Sequence, residues 1–131
     1  MIDLRLVTPY ADGFEQQVDK IIVRGIMGDM MLMKGTAPIV TPLAYDAVRI
    51  FENGQEKKAV VHGGYVSMQN DVCTIATTAF EWTDDIDRER AEAAKKRAEE
   101  ELRATESKER IKEAQLALYR ALARLRHGRR R

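Results

Sequence analysis

The chain has 131 residues, with 22 Lys and Arg against 21 Asp and Glu, a formal net charge of +1. A chain of this length makes one domain or two small ones, which excludes a large multidomain enzyme. Hydrophobic residues make up 44% and charged residues 33%, and no apolar run approaches the ~20 residues of a membrane-spanning helix, so a soluble, folded chain is expected.

From the N-terminus, the opening MIDLRLVTPY lacks the basic start, apolar stretch and small-residue cleavage site of a signal peptide, so no export is expected. Short strands punctuated by turn residues come next: Ile2 to Val7, Lys20 to Val23, Met30 to Met33, Ile39 to Thr41, Ala47 to Phe51, Lys58 to Val61, Tyr65 to Gln69 and Val72 to Thr77. Their regular spacing predicts an antiparallel β-sandwich or barrel. Asn53-Gly54 is the strongest hairpin signal, because both residues tolerate the positive φ of tight hairpin turns, and Asn70-Asp71 is a second candidate. Ile22, Leu32, Ile50, Val60 and Ile75 are the expected core. Cys73 has no second cysteine to pair with, and Val72 and Thr74 beside it suggest a buried strand thiol.

The composition then changes. Residues 1–85 hold 7 basic and 12 acidic side chains, a net of −5, while residues 86–131 hold 15 and 9, a net of +6. All three prolines and seven of the eight glycines precede residue 86, and Ala, Glu, Lys, Arg and Leu dominate the second part. This places a domain boundary at Asp84 and Asp85, with a sandwich over 1–85 and a helical hairpin over 86–131. Thr83, Asp84 and Asp85 are expected to cap a helix starting near Ile86. Its apolar stripe is Ala91, Ala94, Ala98 and Leu102. Thr105 to Ser107 supplies a break, and Ile111, Ala114, Leu118, Leu122 and Leu125 form a second stripe. So short a connection predicts antiparallel pairing, with Gly128 and the Arg129 to Arg131 tail closing the chain. The seam is thin and contributes only a few kcal/mol at ~25 cal/mol per Å², so the hairpin is expected to be bistable.

Catalytic chemistry finds little support. His62 and His127 lack a Cys or acidic neighbour at metal-ligand spacing, and Gly63-Gly64 is too short to cradle a phosphate. The basic second part raises an arginine-rich nucleic-acid adaptor as an alternative. Against it, glutamates such as Glu92, Glu99 and Glu109 are interleaved with the cations, and no aromatic platform accompanies them. Pairs such as Glu92 with Lys96 and Glu99 with Arg103 read as ordinary helix-face ion pairs. A different set stands apart. Arg90 and Arg97 are seven apart and share a face of the first helix, while Arg120 and Arg124 are four apart and share a face of the second. Folded inward, four guanidinium groups converge and call for an anion with several oxygens, such as a triphosphate, unless glutamates satisfy them instead.

Several segments resemble the epsilon subunit of bacterial F-type ATP synthases, over essentially the whole chain. Leu6-Val7-Thr8-Pro9 is similar to that family's opening strand, Gly28 to Thr41 to its most recognisable loop-and-strand segment, and Gly63-Gly64-Tyr65 to its Gly-Gly-aromatic turn. Thr36 stands where a His is usual and Tyr45-Asp46 where Pro-Gly is common, departures that bear on local loop contacts. Ile86-Asp87-Arg88-Glu89-Arg90-Ala91 resembles the Ile/Leu-Asp-x-x-Arg-Ala motif of members that bind ATP on the folded hairpin. Arg97, Arg120 and Arg124 fall where those members carry phosphate-contacting arginines, and Glu81 fits an acidic position near the adenosine.

The resemblance implies a noncatalytic rotor subunit of the central stalk, peripheral to the cell membrane on its cytoplasmic side. Its sandwich would attach to the gamma subunit and the ring of c subunits, coupling proton or sodium flow to rotation. Its hairpin would extend towards the alpha and beta subunits to oppose ATP hydrolysis. ATP would be a regulatory ligand without a Mg²⁺ requirement, and neither nucleic-acid binding nor membrane insertion is implied. Met27, Met30, Met31 and Met33 are expected in the core, with some at the gamma or ring contact.

Overall fold

A computed structural model describes residues 1–9 and 12–128; the Arg129 to Arg131 tail lies outside the described residues. Ten strands and then two helices succeed one another: β1 (Ile2–Val7), β2 (Phe14–Val18), β3 (Lys20–Gly25), β4 (Gly28–Met33), β5 (Ile39–Pro42), β6 (Tyr45–Glu52), β7 (Gln55–His62), β8 (Tyr65–Gln69), β9 (Val72–Ala76), β10 (Phe80–Trp82), α1 (Arg88–Ala104) and α2 (Lys108–His127). The chain divides into two compact units, Met1–Trp82 and a second that begins at Thr83.

The first unit is a sandwich of two five-stranded sheets, ordered β2-β1-β9-β8-β5 and β10-β7-β6-β3-β4. Alternation along the strands makes the core. Ile2, Leu4 and Leu6 of β1 turn inward with Val66 and Met68 of β8 and Cys73 and Ile75 of β9, and face Ile21, Val23, Leu32, Val48, Ile50 and Val61 of the other sheet. The pairings are antiparallel except β1 with β9, which run parallel. These strands are distant in the chain, so no tight turn obliges them to reverse.

The two expected hairpins are present. Asn53 (φ 51°) and Gly54 (φ 77°) turn β6 into β7, and Asn70 (φ 52°) and Asp71 (φ 60°) turn β8 into β9. Positive φ at both central residues matches the right-handed twist of the flanking strands. In β3 the phase differs from expectation by one residue. Ile21 and Val23 are fully buried and Ile22 is half-buried, because its neighbours already occupy the inward positions. Leu32, Ile50 and Ile75 join the core, whereas Val60 is buried on the opposite face of its strand from Val61. Met30 alone of the four methionines at β4 packs against the core, while Met27, Met31 and Met33 are exposed.

Two strands have no counterpart among the predicted elements, β2 and β10. The first is mostly polar and the second has three residues. They form outer strands of different sheets, and aromatic rings join them: Phe14 lies 5.5 Å from Phe80 and 5.7 Å from Trp82, and Phe80 lies 5.2 Å from Trp82 between centroids. Such pairs add ~0.5–1.5 kcal/mol each beyond the area they bury.

Cys73 is buried, and burial pushes its thiol up from 9.0 to about 12. The thiolate is therefore suppressed at neutral pH, which makes this cysteine an inert core residue. The departures from the family pattern are also accommodated. Thr36 Oγ1 donates to Met33 O (2.7 Å) and accepts from Met33 N (3.0 Å), closing the turn after β4. Asp46 Oδ1 accepts from Ala47 N, and its Oδ2 lies 3.6 Å from Arg24.

Gly64 adopts φ +98°, and a Cβ there would lie 1.9 Å from the Ala76 carbonyl oxygen. Both the conformation and the space exclude a side chain. Gly64→Ala is expected to destabilise the sandwich by about 2–5 kcal/mol, read as a lower urea midpoint with an unchanged slope. A midpoint equal to the wild type would show that this turn does not constrain the sandwich.

Candidate functional site

The helical unit opens with a single 3₁₀ turn over Thr83–Asp85, and α1 begins only at Arg88. The cap is Asp87, not the Thr83 to Asp85 segment expected from sequence. Asp87 has extended dihedrals, and its Oδ1 accepts from Arg90 N at 3.1 Å. An Asx cap satisfies one of the four orphan N–H groups of the first turn, and Thr83 to Asp85 are diverted into the tighter turn. Thr105 closes α1 by donating its N–H to Glu101 O, and Ser107 caps α2, its Oγ accepting from Arg110 N at 3.5 Å.

The helices pair antiparallel. Arg88, at the start of α1, donates from Nη1 to Leu125 O (2.6 Å) and Gly128 O (3.3 Å) at the end of α2. The buried seam is alanine on both sides: Ala91 and Ala98 on α1, Ala114 and Ala121 on α2, seven apart in each case, with Ala123 also buried. The expected second stripe is therefore corrected in part. Of its members Ala114 is buried, while Ile111, Leu118, Leu122 and Leu125 are half-buried, as are Ala94 and Leu102 of the first stripe. Small side chains at heptad spacing let the helix axes approach, which pushes the larger ones to the margins.

This seam decides where the arginines point. Arg90, Arg97 and Arg120 each immediately precede a seam alanine (Ala91, Ala98, Ala121), and Arg124 comes three residues after Ala121. At 100° per residue, in an antiparallel pair, positions just before the seam on both helices fall on the same flank, and a position three residues on lies about 60° to that same side. All four arginines thus share one flank of the hairpin. Arg90 and Arg97 stand about 10 Å apart along α1, and Arg120 and Arg124 about 6 Å apart along α2. Arg90 and Arg97 are exposed, Arg120 and Arg124 half-buried. Among the described residues Arg90, Arg97 and Arg120 form no ion pair within 4 Å, whereas Arg103 and Glu99 meet at 4.0 Å. Ile86 is buried beside the cap, and Ala91 is in the seam.

Seven of the eight expected site residues therefore lie in the helical unit. Glu81 does not: it belongs to β10 of the sandwich, where its Oε1 is 3.3 Å from His62 Nε2. His62 is 1% exposed, its ring sits edge-on to Tyr45 at 6.1 Å, and its Nδ1 has no partner among the described residues. An acidic neighbour of His62 was invisible in sequence because it arrives on the short strand that sequence patterning misses. Among the described residues no group of three or more His, Cys, Asp or Glu could hold a metal ion, and no described helix is long and apolar enough to cross a membrane.

Two family models match in succession: the ATP synthase delta/epsilon chain β-sandwich domain over residues 1–83, and the delta/epsilon chain long α-helix domain over 84–127. The chain belongs to the ATP synthase delta/epsilon family. Its similar relatives include the ATP synthase epsilon chain of Caldanaerobacter subterraneus subsp. tengcongensis, 42% identical over 93% of this chain and 89% of the relative. The epsilon chain of Bacillus velezensis is 39% identical over 95% and 94%. A chain of the Euglena gracilis mitochondrial ATP synthase OSCP/F1/c-ring structure superposes with a TM-score of 0.81 over 93% of this chain and 78% of its own length, at 21% identity, which speaks to the fold. Membership of this family displaces the nucleic-acid adaptor.

Proposed function

We propose that this chain is the noncatalytic epsilon-type rotor subunit of a bacterial F-type ATP synthase, and that its hairpin is an ATP-sensing brake on hydrolysis. The sandwich attaches to the gamma subunit and the c-subunit ring and transmits ion-driven rotation. The subunit thereby sits peripherally on the cytoplasmic side of the cell membrane. The bacterial epsilon-chain relatives and the Euglena structure containing F1 and a c-ring support this placement. When open, the hairpin reaches the alpha and beta subunits, and its basic character (15 basic and 9 acidic side chains over residues 86–131) suits acidic surfaces there.

The observation that carries the nucleotide reading is the shared flank of Arg90, Arg97, Arg120 and Arg124, two from each helix, across a seam of alanines. Guanidinium groups from both helices meet one ligand only when the helices are paired. A polyanion on that flank therefore binds the closed hairpin and shifts the population by its differential affinity. The triphosphate supplies charge and fork-matching oxygens, while the adenosine end lies near Ile86, Asp87, Arg90 and Ala91. The arginines neutralise the phosphates, so the metal is dispensable.

Calorimetry on the full chain in EDTA tests this. ATP is expected to bind saturably with 1:1 stoichiometry, and ADP more weakly because it brings less charge to the same cluster. No saturable heat with ATP, or equal affinities for ATP and ADP, overturns the reading.

A further inference from the structure

Arg88 breaks a local rule. It is the first residue of α1, where the helix dipole is positive and a carboxylate is favoured, yet it is a cation. Its guanidinium reaches across to α2 and donates to Leu125 O and Gly128 O. The Leu125 carbonyl is one of the last four of α2 and accepts no intrahelical N–H among the described residues, whereas Arg124 O is already taken by Gly128 N at 2.7 Å. The same cation that is unfavourable for its own helix thus complements the negative end of the other. Close packing reinforces the placement. A Cβ on Gly128 would lie 3.0 Å from Ile86 Cγ2 and 2.6 Å from Arg124 O, so the end of α2 seats tightly against the residue that precedes the α1 cap.

We propose that Arg88 is a latch that holds the hairpin closed without any ligand, by completing the carboxyl end of α2 from the amino end of α1. Opening the hairpin removes its acceptors and leaves a cation against the positive end of α1. Arg88 therefore biases the equilibrium twice in the same direction. The latch does not depend on the nucleotide reading, because it uses carbonyl oxygens of the chain itself, and it sets the closed population that any ligand of the flank meets.

The experiment is a distance measurement on the full chain without nucleotide. Spin labels go on Lys96→Cys and Gln115→Cys, which are exposed on opposite helices, while the native Cys73 stays unlabelled in the core. Arg88→Ala is expected to raise the open-to-closed ratio about tenfold, the effect of losing charge-assisted hydrogen bonds to carbonyls. Arg88→Lys, which keeps charge and donors, is expected to fall between. Arg88→Glu separates latching from helix formation. Its carboxylate suits the start of α1 and keeps that helix formed, read as unchanged helical circular dichroism, yet it repels the α2 carbonyls and is expected to open the hairpin most. An open-to-closed ratio in Arg88→Glu equal to or below that of the wild type overturns the proposal. Because no nucleotide is present, failure of ATP to bind in calorimetry leaves this result standing, and an unchanged ratio here leaves the ATP reading standing.

Discussion

Truncating the chain before Ser107 is expected to raise ATP hydrolysis by the assembled synthase several-fold while assembly and coupling persist. The truncation removes all 20 residues of α2 and leaves the sandwich whole. What remains of the hairpin is not a folding liability. α1 is 17 residues rich in Ala, Glu, Lys and Arg, with its own Asp87 cap, and the seam residues uncovered, Ala91 and Ala98, are small, with Ile86 losing its contact at Gly128. A brake that works by reaching the catalytic subunits would lose its reach, whereas the attachment proposed for the sandwich would be untouched. The readout is steady-state hydrolysis beside proton pumping in membrane vesicles. Unchanged hydrolysis, or failure of the truncated subunit to assemble, refutes this division of labour. The released inhibition should also weaken in the intact enzyme as ionic strength rises, because the hairpin would act through exposed charge.

A second large effect is expected at the start of α1, and the structure separates two ways of producing it. Asp87 caps the helix through Arg90 N. Its removal therefore costs about 1 kcal/mol of helix stability whether or not any ligand is near. Asp87→Ala is expected to lower ATP affinity about tenfold or more, since the cap and the proposed contact with the adenosine end go together. Asp87→Ser restores a capping oxygen without the carboxylate, so the affinity still missing in Asp87→Ser belongs to the ligand contact. Full recovery in Asp87→Ser would show that Asp87 serves the helix alone. Arg124→Ala tests the other end of the proposed site. It is expected to lower ATP affinity about tenfold and to narrow the preference for ATP over ADP, because a charge-assisted contact to phosphate is lost. An unchanged ATP-to-ADP ratio would place the phosphates elsewhere.

The features legible in the amino-acid sequence are those that neighbouring residues settle among themselves. Asn53-Gly54 and Asn70-Asp71 specify their turns because positive φ is a property of two residues. The change of composition near residue 85 falls three residues after the division between the two compact units at Trp82, because helix and strand draw on different side chains while the 3₁₀ turn of Thr83 to Asp85 already belongs to the second unit. The motif Ile86 to Ala91 and the arginine spacings are local for the same reason, and with the segments from Leu6 to Tyr65 they carry the family resemblance.

Tertiary structure decided the rest, wherever a residue's role depends on a partner distant in the chain. β2 reads as a polar loop until Phe14 meets Phe80 and Trp82, and β10 is too short to show any period of its own. Ile22 and Ile21 are interchangeable as isolated strand residues, and only the pairing of β3 with β4 and β6 assigns the inward positions. The Thr83 to Asp85 segment is as good a cap as Asp87 by composition, but the chain can enter α1 in only one place, and the 3₁₀ turn takes the earlier residues. Which residues of the hairpin become seam was likewise settled by packing. Leucines dominate by hydrophobicity, yet two antiparallel helices approach most closely on their alanines, and that choice puts the four arginines on one flank and Arg88 against the end of α2.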